Sequence, residues 1–339
     1  MQSEVFFQFD EPEALIQFLN ENGWIATDET VEEISKAGEG NMNFVARIRT
    51  SKRSVIFKQS RPWVEKYPQI AAPVERIESE ITFYEAVKPY PVIAGGMPAL
   101  LAIAPASRCA LFEDLGKVED YTNMYSGDLA PATEIRQLIS WLGTLHNASF
   151  DPTLRSSLAN KAMRQLNHAH LFDIPLQPEN GLALDDITSG LQAQATKLQK
   201  NEAFIRQIEQ LGKLYMEDGT TLLHGDFYPG SWVRTVTGPK VIDPEFGFFG
   251  PASYDVGVCM AHLLIAGFGA TEIKHLMEAY KAPAEFDKLL ACQFAGMEIM
   301  RRLIGVAQLP VDKTLATKVE LLDQATQLVL APQNYNWID

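Results

Sequence analysis

Two short apolar runs in the second half of the chain, each breaking onto a loop that carries an aspartate, constrain this sequence more than any other feature. They lie in Leu222-Leu-His-Gly-Asp-Phe-Tyr-Pro-Gly-Ser-Trp-Val233 and in Lys240-Val-Ile-Asp-Pro-Glu-Phe246. Apolar, β-branched runs that stop at turn residues read as strands. A strand ending in a polar loop presents that loop's side chains at its tip, so Asp226 and Asp243 are expected to converge on one cleft. There one carboxylate can orient a hydroxyl while the other holds Mg²⁺, a hard cation that prefers oxygen ligands and bridges nucleotide phosphates. Either piece alone fits an ordinary turn, with His224 and Asp226 as a cap and Asp243-Pro244 as a turn start. Both together, 17 positions apart, favour the chemical reading.

The rest of the chain supplies a setting for such a pair. At 339 residues it is longer than one average domain and short for three, which favours two lobes sharing a cleft. Asn43–Arg49 alternates, and Ser54–Gln59 is a β-branched run, so the two predict a hairpin. From Pro73, Ile77, Ile81, Tyr84 and Val87 recur at helical spacing until Pro89 and Pro91. Short apolar runs at Ala99–Ile103 and Cys109–Phe112 follow, and together these make a small β-rich lobe. Helical patterns at Ile135–Ala148, Glu202–Met216, Ala252–Ala266, Ala284–Val306 and Leu315–Leu330 make a larger second one. The stretch Ser157–Lys197, rich in Asn, Gln and Asp, reads as a surface excursion. The expected division is residues 1–116, with a hinge near 111–116, and residues 117–339.

Charge removes some classes of partner. Lys and Arg number 29 against 43 Asp and Glu, a formal charge of -14 that repels a polyphosphate backbone, so nucleic acid is not an expected partner. Cys109, Cys259 and Cys292 lack metal-type spacing and are odd in number, so neither a disulfide framework nor a structural zinc site is expected. The first ten residues lack a basic, then apolar, leader pattern, and the apolar stretch Val256–Ala270 is broken by His262 and glycines. No membrane association and a cytoplasmic location are the expectations.

The paired loops resemble those of the aminoglycoside phosphotransferase and choline kinase superfamily, distant relatives of protein kinases. The resemblance implies an α+β, bilobal protein-kinase-like fold, with a β-rich N-terminal nucleotide-binding lobe and a mainly helical C-terminal lobe. It implies use of ATP and Mg²⁺, with Asp226 as the catalytic carboxylate and Asp243 as a metal ligand. Lys58, in Val55-Ile-Phe-Lys58, matches the strand lysine that holds the nucleotide phosphates, and Glu80 matches its helix-borne ion-pair partner, with Glu78 as the alternative. Gly40, Asn41 and Asn43, in Gly38-Glu-Gly-Asn-Met-Asn43, match a loop that covers phosphates. Glu113 and Leu115 fall where the hinge backbone pairs with adenine. His146 also matches a family position and reads as structural.

Within the superfamily the chain resembles the 5-methylthioribose kinase family most closely. The shared features are Gly40-Asn-Met-Asn43, His224-Gly-Asp-Phe-Tyr-Pro-Gly-Ser231, Ile242-Asp-Pro-Glu-Phe-Gly-Phe-Phe-Gly-Pro251 and Ile299-Met-Arg-Arg-Leu-Ile-Gly-Val306. Ser231 stands where most of the superfamily has a metal-binding Asn. Because a hydroxyl is the poorer Mg²⁺ ligand, Glu245 is expected to complete the shell. Arg301 and Arg302 sit in an almost wholly apolar run, so both must find anionic or polar partners, either a ligand or a helix carboxylate. Two guanidiniums suit acceptor hydroxyls and a developing phosphate ester better than a cationic acceptor. The expected partners are ATP and a small hydroxylated acceptor, best a sugar such as 5-methylthioribose. A second copy of the chain is a possible partner only by resemblance. Competing readings are a kinase for another sugar, amino alcohol or aminoglycoside, a nucleotide-binding protein without catalysis, and a metal-dependent hydrolase.

Overall fold

The computed structural model describes residues 5–38, 42–309 and 313–338. The chain forms two compact units, one up to Val118 and one from Glu119 onward.

The first unit opens with a helix the hydrophobic pattern did not announce, α1 (Pro12–Glu21), started by a proline and burying Leu15 and Leu19. Strands β1 (Val31–Lys36), β2 (Phe44–Thr50) and β3 (Ser54–Gln59) follow. Next come helix α2 (Arg76–Val87) and strands β4 (Leu100–Ala104) and β5 (Cys109–Glu113). The antiparallel sheet runs β1-β2-β3-β5-β4, which places β3 at its centre with Val45 opposite Lys58 and Lys58 opposite Ala110. Strand alternation turns Phe44, Ala46, Ile48, Val55 and Phe57 to one face, where they pack with Phe7, Trp24 and the α1 leucines. Lys58 therefore faces the other way.

In the second unit we use α3 (Ala132–His146), α4 (Lys161–His168), α5 (Glu202–Met216), β6 (Thr221–Leu223), β7 (Trp232–Thr235), β8 (Gly238–Val241), β9 (Phe248–Gly250), α6 (Ser253–Ala266), α7 (Lys288–Ile304) and α8 (Leu315–Leu330). Helix α5 has the bounds expected from its periodicity, and the Asn201 side chain accepts from the Phe204 N–H at its start. Helix α6 is buried on every side, so its apolar run carries no amphipathic stripe. It crosses α7 closely because Gly257 has no side chain; a Cβ there would lie 2.6 Å from the Cβ of Phe294. Helix α7 begins only at Lys288, where Asp287 accepts from the N–H groups of Leu289 and Leu290, later than the expected Ala284.

The expectation of a surface excursion over Ser157–Lys197 is corrected. Met163, Arg164, Leu171, Phe172, Leu191 and Ala195 are buried. Arg164 donates to the carbonyls of Tyr215 and Glu217 and stacks over Phe248. Asn160, Arg164 and Asn180 donate to backbone carbonyls, while Gln165, Asp173, Glu179, Asp185 and Asp186 form the exposed side of the segment. Cys109, Cys259 and Cys292 are buried free thiols. Among the described residues no helix is long and apolar enough to cross a membrane.

Candidate active site

In the first unit, Lys58 and Glu80 meet in a nearly solvent-free ion pair, with Nζ 2.7 Å from a carboxylate oxygen. Glu80 lies on the buried face of α2 and Glu78 on its exposed face, so the pairing selects between the two candidates. Gly40 and Asn41 lie outside the described residues. Asn43 is buried, and its side-chain oxygen accepts from Nε of Arg76 at 2.8 Å. Arg76 is itself wholly buried and spends its other donors on the carbonyls of Met42, Arg61 and Pro73. Met42 and Asn43, directly before β2, are thus tied to α2. At the end of β5, Glu113 accepts from the Ala99 N–H while its own N–H donates to the Ala99 carbonyl. Leu115 is half-buried beside Asp114, which accepts from Arg47, Ser54 and the Gly116 N–H. Burial would raise the Asp114 carboxyl, but these donors hold it below its ordinary value.

In the second unit, the loop carrying Asp226 is held from below. Asp255, fully buried at the start of α6, accepts from the N–H groups of His224 at 2.7 Å and Gly225 at 3.0 Å. His146 closes the arrangement, with Nε2 3.2 Å from Asp255 and Nδ1 2.8 Å from the Tyr280 hydroxyl. Gly225 has φ +84°, and a Cβ there would run into the Phe246 carbonyl, so this position needs glycine on both counts. His224 bridges the two loops: Nε2 donates to the Ile242 carbonyl at 3.0 Å and Nδ1 accepts from the Asp226 N–H at 3.3 Å. Burial pushes its pKa down and keeps it neutral, as that donor–acceptor pattern requires.

The strands entering the two loops do not pair with each other. Strand β6, before Asp226, pairs with β9, while β8, before Asp243, pairs with β7. Convergence comes instead from the His224 bridge and from the Ile242 N–H, which donates to the Ser231 carbonyl at 2.9 Å. Asp243 is exposed and adopts φ +59°, ψ +55°, a conformation costly for a side chain bearing a Cβ and concentrated at functional sites. Glu245, two positions further on, is buried, and so is Ser231, whose carbonyl accepts from the Ile242 N–H. Asn160, itself at φ +45°, clasps this loop by donating to the carbonyls of Glu245 and Gly247. Two carboxylates and a hydroxyl are hard oxygen donors suited to a Mg²⁺ that keeps waters and phosphate ligands. Among the described residues no group of three or more His, Cys, Asp or Glu is arranged to hold a metal without outside help.

Arg301 and Arg302 come off the last turn of α7 and converge on Asp226: one nitrogen of each lies 3.6 Å from the same carboxylate oxygen. Their Nε atoms are both taken by Glu298, at 2.5 and 2.8 Å. The sequence left open whether the arginines serve a ligand or a helix carboxylate; the helix carboxylate is present, and it serves both. His262 donates to Glu298 at 2.9 Å and accepts from the Tyr125 hydroxyl at 2.6 Å, while Arg302 stacks over Tyr228. Burial, opposed by the two guanidiniums, pushes the Asp226 carboxyl up to about 6, although a quarter of its side chain still meets solvent. Burial likewise brings His262 down to about 4, so it is neutral here. Glu298 is held well below the carboxylate range because Arg301 and Arg302 outweigh its burial.

Glu298, Asp255, Tyr228 and Asn160 belong to this constellation and were not singled out in sequence, where His224 was read only as a turn cap or motif residue. Glu298 had a signal, a lone acid three and four residues before the arginines in an apolar helix. Asn160 had none, since its partners are backbone carbonyls more than eighty residues away.

Comparison with known proteins finds relatives of this chain. The model of a family described as a phosphotransferase enzyme family covers residues 33–291. The chain is 27% identical to a methylthioribose kinase from Exiguobacterium sibiricum, over 82% of this chain and 80% of that protein. Among solved structures, a choline kinase from Cryptosporidium parvum shares the fold with a TM-score of 0.55 at 12% identity, covering 95% of this chain and 98% of that one. The choline kinase LicA from Streptococcus pneumoniae, solved in complex with AMP, gives a TM-score of 0.51 at 12% identity, covering 94% and 97%.

Proposed function

Because the chain belongs to this phosphotransferase family and has an alcohol group as its acceptor, we propose that it moves the γ-phosphoryl group of ATP to a hydroxyl of a small sugar, with 5-methylthioribose the best single acceptor. The observation that carries the acceptor is the arginine pair held 3.6 Å from Asp226. A cationic acceptor, such as an amino alcohol, would meet two guanidiniums beside the base. Sugar hydroxyls can instead accept from those groups while one of them donates to Asp226.

We assign the roles as follows. Asp226 accepts the hydroxyl proton as the acceptor oxygen bonds to phosphorus and the bond from phosphorus to the bridging oxygen of ADP breaks. A carboxyl titrating near 6 is a stronger base than an ordinary aspartate and is still ionised at neutral pH. Lys58, fixed by Glu80, holds nucleotide phosphates, the backbone of Glu113 to Leu115 meets the adenine, and the loop of Gly40, Asn41 and Asn43 covers the phosphates. Asp243, with Glu245 and Ser231, holds Mg²⁺, which supplies charge neutralisation at the phosphates. Arg301 and Arg302 orient the acceptor.

The test is ADP release measured with 5-methylthioribose, other pentoses, choline, ethanolamine and an aminoglycoside as acceptors. Preference for 5-methylthioribose in kcat/KM is expected. Preference for a cationic acceptor would overturn the assignment of the pocket, and ADP release with none of them would overturn the proposed activity.

A further inference from the structure

Glu298 cannot touch a substrate, because its side chain is wholly buried. Yet it is the hub on which the acceptor side of the site is built. Residues three and four positions on along a helix lie on the same face, so one carboxylate can reach both Arg301 and Arg302 even though neighbouring residues diverge by about 100°. It does so through Nε in both cases, one carboxylate oxygen to each arginine, and the oxygen shared with Arg302 also accepts from His262. A guanidinium is planar, so anchoring Nε leaves little freedom for the remaining nitrogens. In both residues Nη2 lies 3.6 Å from the same Asp226 oxygen, while Nη1 of Arg302 donates to the Ala307 carbonyl.

We propose that Glu298 is a positioning residue that makes Arg301 and Arg302 a single two-pronged hydroxyl-binding fork, set at a fixed distance from the proton acceptor Asp226. Without the clamp, two cations would face one carboxylate, and direct ion pairing would draw them onto Asp226 and block the oxygen that must take the acceptor proton. With it, two carboxylates share two guanidiniums, and neither arginine closes to hydrogen-bond distance of Asp226. His262 and Tyr125 stand behind Glu298 and fix its rotamer. His262 stays neutral among these charges and so adds a donor without adding a third cation. The inference rests on the reading of Asp226 and the arginines as the acceptor site.

The experiment is Glu298→Asp, which keeps the charge but is one methylene too short to hold both Nε atoms. Nucleotide and acceptor are varied separately, and a thermal melt is recorded for each protein. The expected result is a loss of about tenfold or more in acceptor kcat/KM, with nucleotide KM within about twofold of wild type. Unaltered acceptor kinetics overturn the proposal, and so does a parallel loss on both substrates with a large fall in melting temperature, which marks a merely structural carboxylate. Should Glu298→Asp not fold, His262→Leu removes the third donor to Glu298, and with it the acceptor of the Tyr125 hydroxyl, while leaving both arginine contacts to Glu298 in place. A selective loss on the acceptor side then supports the proposal, and no change overturns it. A wild-type protein that phosphorylates no acceptor brings down the underlying reading, and this inference with it. An active wild type with an unaffected variant brings down the inference alone.

Discussion

Asp255 accepts the backbone N–H of His224 across 31 positions of sequence, at 2.7 Å and out of contact with solvent. That bond, with its neighbour to Gly225, decides where Asp226 stands. The loop bearing Asp226 is therefore held from the start of α6 as well as by the side chain of its own His224.

Replacing Asp255 with Ala leaves two buried amide donors and His146 without an acceptor. Each orphaned donor costs about 1–3 kcal/mol. We expect urea denaturation to show a loss of about 2–5 kcal/mol, and turnover to fall further than the unfolded fraction accounts for. A variant of wild-type stability would contradict the role given to this carboxylate.

Gly225→Ala forces a Cβ into the left-handed region, at about 1–2 kcal/mol, and onto the Phe246 carbonyl. The loops of Asp226 and Asp243 must then move apart. Loss of turnover with nucleotide still bound is the expected outcome, checked by kinetics beside nucleotide titration. Ordinary turnover would show that the close approach of the loops is dispensable.

The Asp226 carboxyl titrates near 6, above its unfolded value, and must be ionised to act as a base. The acceptor kcat/KM should therefore be level at neutral pH and fall tenfold per unit below about pH 6, and this limb should vanish in the residual activity of Asp226→Asn. A raised pKa means that the stability linked to this group is fully present below about pH 4 and is lost as pH rises through about 6. Asp226→Asn, neutral throughout, should thus melt no lower than wild type at pH 8. A markedly lower melt would mean that the ion pairs with the arginines outweigh burial.

Much of this was legible before any coordinates. The hairpin with Lys58 and the bounds of α5 follow from periodicity, and the two-lobed kinase-like fold from the resemblance that the paired loops carry. What was not legible is how the loops are tied. The two aspartates were expected to converge through their strands, whereas β6 and β8 pair with other strands, and a histidine side chain and one backbone bond join the loops. The polar 157–197 segment read as solvated because composition cannot tell an Asn facing water from Asn160 facing two carbonyls. The arginines announced a buried charge. That one glutamate would satisfy both required the helix geometry to be seen.

Lys58→Ala leaves Glu80 buried without its cation, and breaking a buried pair from one side costs about 3–5 kcal/mol. Lower melting temperature and weaker nucleotide binding should appear together. Asp243→Ala, at an exposed and strained position, should instead abolish the Mg²⁺ dependence of nucleotide binding with little change in melting. Calorimetric titration with a non-hydrolysable nucleotide, with and without Mg²⁺, separates the two, and an unchanged metal dependence in Asp243→Ala would remove that residue from the metal site.

The most direct measurement is single-turnover formation of phosphorylated sugar from ATP and 5-methylthioribose, followed by mass spectrometry in wild type and in Asp226→Asn, with nucleotide affinity measured on the same samples. The expected result is a phosphorylated sugar from wild type and a rate lower by about 10²-fold or more in Asp226→Asn, at a nucleotide affinity unchanged within a few-fold. A near-normal rate in the variant, or no phosphorylated sugar from wild type, would contradict phosphoryl transfer through Asp226.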